Sequence, residues 1–285
     1  ICAIDPYKGS IWSILEAVSN YVSIGGDLKD AALIDNFIWP FPDEESLADL
    51  DKSVDACIDT AKVLKMPFVS GKDSLSSTYR YPDGTVLKIP PVLLVSVFGK
   101  IPDIKKTISS DFKKENSIII LVGAQDNENL GGSAYFDITN STSSNVPTVD
   151  LEEAEKVLSS VTNAIKSQKI LSVHDISEGG IAAALSEMSF GGGVGATIDL
   201  EEISKSGNSA AILFAETPAT FLVELESETA AKKLFAGVPH FVLGRTNKEK
   251  TIVVKRGSKI IVSLSLGKLK NAWQKPMKEI FHYEA

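Results

Sequence analysis

Ile11, Leu15, Val18 and Val22 recur at the spacing of a single helix face, so the pattern predicts an amphipathic helix over "SIWSILEAVSNYV", ended by Gly25-Gly26. The "DPYKGS" before it reads as a turn. "DAALIDNFIW" is short, apolar and bounded by turn residues, which predicts a strand ending near Asp35. "DEESLADLDKSVDACIDTAKVLK" returns to helical phase, with Leu47, Leu50, Val54, Cys57, Ile58 and Ala61 inward, and must stop before Pro67. A strand "PFVSG" follows, then extended segments either side of a Pro-Asp-Gly turn in "STYRYPDGTVLKI", then "PVLLVSVFGKI", which reads as a buried strand.

Polar "DIKKTISSDFKKEN" then separates two apolar strands, and the domain boundary falls there, giving units 1–113 and 114–285. The second unit opens on the strand "SIIILVG" and the glycine-bearing "NENLGGSAY". A helix is predicted from about Asp150 to Gln168, with Leu151, Ala154, Leu158, Val161 and Ile165 inward and Asp150 and Glu153 as its capping box. "VHDISEGGIAAALSEMSF" reads as a strand, a glycine turn and an alanine-rich helix. Further strands are expected at "AAILFAE", "TFLVELE", "HFVLGR", "TIVVKR" and "KIIVSLSL", with a helix near Glu228 to Ala236. Helices and strands alternate without a strict βαβ beat, so the fold class is α+β.

A length of 285 residues suits two domains, each with its own core. The net charge of −8 argues against nonspecific attraction to nucleic acid or anionic lipid, so a phosphate ligand would need local cations. Cys2 and Cys57 have no C-x-x-C spacing, which leaves out a disulfide framework and a structural zinc site and fits a reducing cytoplasm. Apolar runs such as "PPVLLVSVFG" are too short to span a membrane. "ICAID" enters as if already inside a strand, which suggests a fragment.

Four groups of residues carry candidate chemistry. Glu16 and Asn20, four apart, project from one helix face opposite the apolar stripe. Their oxygens suit a hard cation such as magnesium, although on spacing alone a solvated polar face is the simpler reading. Asp175 ends a predicted strand just before Gly179-Gly180 and a helix start, where open α/β sheets bind ligands. Either it holds a metal there, or Asp175 or Ser177 simply caps the helix. His174 reads as a hydrogen-bonded histidine near the core rather than a base. "VSGKDSLS" places Gly71, Lys72, Asp73 and Ser74 after a strand, a mix able to hold phosphate through Lys72 and metal through Asp73, but it lacks Walker spacing. "NLGGSAY" and "FGGGVG" fail the dinucleotide fingerprint and read as turns or close packing.

In this order, "DPYKGS…LEAVSN", "LIDNF", "SGKDSLS", "NLGGSAY", "VHDISEGGIAAALSEMSF" and "LFAE" resemble the phosphoribosylformylglycinamidine synthase family, specifically the second of its two homologous halves, over nearly the whole chain. That family lies within the aminoimidazole ribonucleotide (AIR) synthetase superfamily. The resemblance implies an N-terminal dimerising domain whose mixed sheet forms half of a β-barrel, followed by a three-layer α/β domain. It also implies an ATP-dependent ligase that activates the formyl amide oxygen of formylglycinamide ribonucleotide. Ammonia from glutamine then displaces phosphate to give the amidine, a purine precursor.

Carried over residue by residue, the resemblance implies that Glu16, Asn20 and Asp175 are magnesium ligands of a bound ATP or ADP, with Ser177 against the nucleotide. Asp35 and Gly71 match ATP contacts of the smaller form of the enzyme, and Ser74 a substrate contact. The smaller form's Gly-Asn-Val-Ser is here Gly71-Lys72-Asp73-Ser74, and lysine cannot replace asparagine as a ligand. Lys72 on phosphate and Asp73 near metal are expected instead. The family's catalytic histidine belongs to the other half, so no catalytic residue is assigned and the chain alone should not turn over. Expected partners are that missing half, a glutaminase subunit or domain and a second copy. The alternatives are a non-catalytic assembly half whose nucleotide is structural, or another superfamily enzyme such as a cyclo-ligase, a selenophosphate synthetase or a thiamine monophosphate kinase; "SGKDSLS" with "LIDNF" argues against the last group.

Overall fold

Asp5 caps the first helix, α1 (Pro6–Ser23): its side chain accepts the Lys8 N–H at 3.0 Å, and Pro6 fills a first-turn position that needs no donor. "DPYKGS" therefore opens the helix rather than preceding it as a turn. Gly9 sits inside α1 because a Cβ there would lie 2.6 Å from the Cys2 backbone nitrogen. The computed structural model describes residues 1–281. After α1 come β1 (Ala31–Ile38), α2 (Glu44–Leu64), β2 (Phe68–Ser74), the hairpin of β3 (Thr78–Arg80) and β4 (Val86–Lys88), and β5 (Val92–Gly99).

β1 is the centre of a three-stranded mixed sheet, parallel to β2 and antiparallel to β5. It runs past Asp35 to Ile38, so Asp35 lies mid-strand. β2 likewise extends through Ser74, and the stretch expected to be a loop after the strand is strand itself. α1 and α2 cover one face of this sheet, burying Leu33 and Leu93. The other face is open, leaving Leu94 55% and Phe98 57% exposed, so β5 is buried on one side only and not, as expected, throughout.

The burial of α2 departs from its apolar phase. Asp43 and Ser46 form a capping box, and the inward stripe is Ser46, Ser53, Ala56, Cys57, Thr60 and Leu64. Leu47, Val54 and Ile58 face outward. Small residues win because α2 lies close against α1, near enough for the Ser53 hydroxyl to donate to the Pro6 carbonyl at 3.3 Å and the Tyr7 hydroxyl to the Asp59 carboxylate at 2.8 Å.

The remaining elements are β6 (Ile118–Val122), α3 (Ala134–Ile138), α4 (Leu151–Lys166), β7 (Ile170–Asp175), α5 (Gly180–Gly192), β8 (Gly195–Asp199), α6 (Ser209–Phe214), β9 (Phe221–Leu225), α7 (Glu228–Leu234), β10 (His240–Asn247), β11 (Thr251–Arg256), β12 (Lys259–Ser265) and α8 (Leu266–Phe281). Their strands form a seven-stranded sheet ordered β12-β11-β8-β10-β6-β9-β7, antiparallel except for β8 beside β11. All five residues of β6 are buried, because helices cover both faces of the sheet. Ile118, Ile120 and Val122 pack with Val157, Val161 and Ile165 of α4, whereas Ile119 and Leu121 pack with Ile181, Leu185 and Met188 of α5. The first of these cores is continuous with that of α1, α2 and β1. The fold is thus α+β, with helix–sheet–helix layers in its second part.

"AAILFAE", expected as a strand, is α6: Asn208 caps it by accepting the Ala210 N–H at 2.9 Å, and its buried Ile212 and Leu213 pack against α5. Short apolar runs do not distinguish strand from helix, and here the cap decided. One buried carboxylate fastens the segment joining the two sheets. Glu224 of β9 accepts the Lys113 and Lys114 N–H groups at 2.9 and 3.2 Å and the Ser117 and Ser172 hydroxyls at 2.6 and 2.8 Å.

Candidate functional site

α1 belongs to the three-stranded sheet and β7 to the seven-stranded one, and they meet. Along α1, Trp12, Glu16, Asn20 and Ser23 succeed one another at three- and four-residue steps and so share a face. Asn20 donates its amide N–H to Glu16 Oε1 at 3.3 Å. Asp175, the last residue of β7, is 6% exposed, and His174 Nδ1 lies 3.6 Å from its Oδ1. Burial, then the charge of Asp175, push the Glu16 carboxyl above its ordinary pKa against the pull of Asn20, and Glu178 adds to the rise. Asp175 is itself raised, mainly by burial, which outweighs the nearby His174. Two carboxylates carried by elements of separate sheets are therefore both raised mainly by burial, with their charges incompletely compensated.

His174 is held between two acceptors. Nδ1 lies 2.7 Å from the Asp175 carbonyl and Nε2 lies 3.0 Å from Glu187 Oε2 on α5. An imidazolium satisfies both, and although burial pulls its pKa down, Glu187 and Asp175 together lift it above the usual value. Glu187 is lowered in turn by His174. This is a half-buried, bonded histidine, and its partner Glu187, thirteen residues on, was not legible from sequence.

The turn after Asp175 is not capped by a side chain. The N-cap of α5 is Gly179, at φ +79°, and neither the Asp175 nor the Ser177 side chain bonds the helix start. Ser177 contributes its carbonyl, which accepts the Gly180 N–H at 3.0 Å. The Gly179 N–H instead goes to Glu216, a residue of "LFAE" for which no role was expected. Glu178 and Glu216 line a cavity of about 620 Å³ with Ser133, Asp137, Ser141 and Thr142. They also line a smaller one of about 210 Å³ where Trp12 and Ser13 of α1 approach Leu93 of β5.

A second cluster lies within the first sheet. Asp35 pairs with Gly71 across β1 and β2, and a Cβ at 71 would fall 2.2 Å from Asp35 Oδ1, so the carboxylate depends on glycine there. Burial raises Asp35 despite the Lys72 N–H. The Cys57 thiol of α2 is pushed up to about 12 by burial, by Asp35 and by Cys2. Because β2 is a strand, Lys72 and Asp73 point to opposite faces, with Lys72 donating to the Ser74 hydroxyl at 2.7 Å. Asp73 does not join Glu16 and Asp175, since no set of three His, Cys, Asp or Glu side chains able to hold a metal exists among the described residues. The structure thus pairs Glu16 with Asn20 on a helix that packs against β7, where Asp175 ends, Asp35 with Gly71, and Lys72 with Ser74.

The first group has the donor set for a hard divalent cation. Magnesium is held by one or two carboxylates with the remaining positions left to water and phosphate, and the Asn20 amide oxygen adds a neutral ligand. Incompletely compensated carboxylates raised by burial are also what a cation would relieve.

Comparison with known proteins places this geometry in a family. The family described as AIR synthase related protein, C-terminal domain, matches residues 114–256, and the chain belongs to it. The chain is 30% identical, over 97% of its own length, to the phosphoribosylformylglycinamidine synthase subunit PurL of Deinococcus radiodurans, and covers 38% of that protein. It is 32% identical, over 95% of its length, to the corresponding subunit of Thermoplasma volcanium, of which it covers 35%. The chain therefore spans between a third and two fifths of these relatives. Among solved structures it resembles Thermotoga maritima PurL complexed with FGAR, with a TM-score of 0.72 and 17% identity over 94% of this chain and 43% of that one. It also resembles the hydrogenase maturation protein HypE in complex with ATP, with a TM-score of 0.66 and 13% identity over 91% of this chain and 81% of the other. No described helix is long and apolar enough to cross a membrane.

Proposed function

We propose that this chain is the second homologous half of a phosphoribosylformylglycinamidine synthase, an ATP-dependent ligase of purine biosynthesis. Its part is to bind a magnesium nucleotide between its two sheets. The observation behind this reading is that α1, which carries Glu16 and Asn20, packs against β7, which ends at Asp175, and that the Asp175 charge acts on the Glu16 carboxyl. The names of the relatives, and the share of their length that this chain covers, support the assignment. So do solved neighbours described as PurL complexed with FGAR, with ATP and with ADP.

In this reading Glu16, Asn20 and Asp175 hold magnesium against the nucleotide's phosphates, with Ser177 beside the nucleotide. The cation would screen the carboxylates from the phosphates that they otherwise repel. The reaction is transfer of phosphate from ATP to the formyl amide oxygen of formylglycinamide ribonucleotide, then displacement of phosphate by glutamine-derived ammonia. Asp35, Gly71, Lys72 and Ser74 form the surface offered to ATP and substrate, and Asp73 stands outside the metal site. The first half, a glutaminase and a second copy on the open face of the three-stranded sheet complete the enzyme, which we place in the cytoplasm. A structural nucleotide is the second reading, favoured by the burial of Asp175.

The test is an amidine-formation assay with formylglycinamide ribonucleotide, ATP and ammonia. The chain alone should give no product, and adding the first half of a relative's subunit should restore turnover. Turnover by the chain alone would contradict the assignment to a half. Nucleotide that copurifies and never exchanges would move its role from reaction to structure.

A further inference from the structure

The motif residue that the proposed function leaves unused is Glu216. It is 3% exposed, and its Oε1 accepts two backbone N–H groups, from Gly179 in the turn after Asp175 and from Ala134 at the start of α3, both at 2.9 Å. Its backbone carbonyl accepts the Trp12 indole N–H at 2.7 Å. Trp12 lies one helical turn before Glu16 on α1. Around it the backbone has no slack: a Cβ at Gly180 would lie 2.6 Å from the Leu213 carbonyl and 2.8 Å from that of Ala215.

These bonds join Glu216 to three other pieces of chain far apart in sequence. The carboxylate fixes the turn that carries Asp175 and Ser177, and the carbonyl fixes the helix that carries Glu16 and Asn20. A buried acceptor serving two donors and a half-buried indole N–H are costly to orphan, so the arrangement resists sliding of α1 along β7. We infer that Glu216 is a positioning residue: one side chain and its own carbonyl set the distance between the α1 oxygens and the Asp175 turn, without touching the ligand. The inference deepens the nucleotide reading above and rests on it for its binding readout alone.

The test compares Glu216→Ala with Glu216→Gln, whose amide oxygen keeps an acceptor in place, using hydrogen exchange and magnesium–ADP calorimetry on the full chain. In Glu216→Ala the Gly179 and Ala134 amides and the Trp12 indole N–H should all lose protection, and magnesium–ADP affinity should fall about tenfold or more, the change ~1.4 kcal/mol brings. Glu216→Gln should restore most of both. Loss of protection at Gly179 and Ala134 with Trp12 still protected and affinity unchanged would overturn the inference, because the carboxylate would then order only its own turn. Wild-type chain that fails to bind magnesium–ADP while the exchange pattern shifts as stated would retire the nucleotide reading and support the positioning role. Should Glu216→Ala not fold, Trp12→Phe removes the other arm. It should free α1 and weaken magnesium–ADP with Gly179 and Ala134 still protected; unchanged exchange in α1 would overturn the inference.

Discussion

Glu16, on a helix of the three-stranded sheet, has its carboxyl held above the ordinary pKa by burial and then by the charge of Asp175, at the end of a strand of the seven-stranded sheet. Asp175 is raised by its own burial as well, although His174 lies beside it. Buried acids raised in this way mark a candidate site for a cation.

The first consequence is for stability without ligand. A carboxyl whose pKa is raised on folding contributes stability that is fully present below its unfolded pKa, near 3.9, and lost as pH rises through the raised folded value. At neutral pH charged Asp175 therefore costs stability. Asp175→Asn should raise the melting temperature at pH 7.5 by about 2 to 4 °C, the shift that ~1 kcal/mol gives in a chain of this size. The difference should shrink below about pH 4, where wild-type Asp175 is protonated in both states. Calorimetric scans across that range check it; a variant less stable than wild type at pH 7.5 would show that the charge is compensated within the fold.

A second buried acid behaves in the opposite way. Glu224 satisfies four donors at once, so Glu224→Ala orphans the Lys113 and Lys114 N–H groups and the Ser117 and Ser172 hydroxyls. At about 1 to 3 kcal/mol per orphaned group, not fully additive, the loss should exceed ~3 kcal/mol. Chemical denaturation reads it, and a change below ~1 kcal/mol would deny the network its role.

The open face of the first sheet should drive self-association. Leu94 and Phe98 lie together there, opposite the face that α1 and α2 bury, and each is more than half exposed. Sedimentation at micromolar concentration should show a dimer, and Phe98→Lys should return monomer with an unchanged fold. A monomeric wild type would remove the second copy from the proposed assembly.

Much of this was legible in the sequence, and the omissions have physical causes. The α4 stripe and the strand–turn–helix around Asp175 follow from periodicity and glycine placement. Periodicity misjudged α2, because the close approach of α1 selected Ser53, Ala56 and Thr60 for the interface over the larger Val54 and Ile58. It misjudged α6, where five apolar residues fit either state until Asn208 capped them. Lys72 and Asp73 looked convergent as loop residues and were parted by the alternation of a strand. The link from Glu216 to Trp12 spans 204 residues and leaves no local trace, whereas Glu16 and Asn20 were visible as a helix face and only the fold supplied the acid that meets them.

The most direct test of this convergence is the magnesium dependence of nucleotide binding. Titrated with ADP in millimolar magnesium, wild-type chain should bind, and chelation of the metal should abolish or greatly weaken binding. Glu16→Gln and Asp175→Asn should each lose about tenfold or more in affinity while remaining folded. ADP binding that is indifferent to magnesium, or equal in wild type and both variants, would contradict the claim that these two carboxylates hold one cation against a nucleotide.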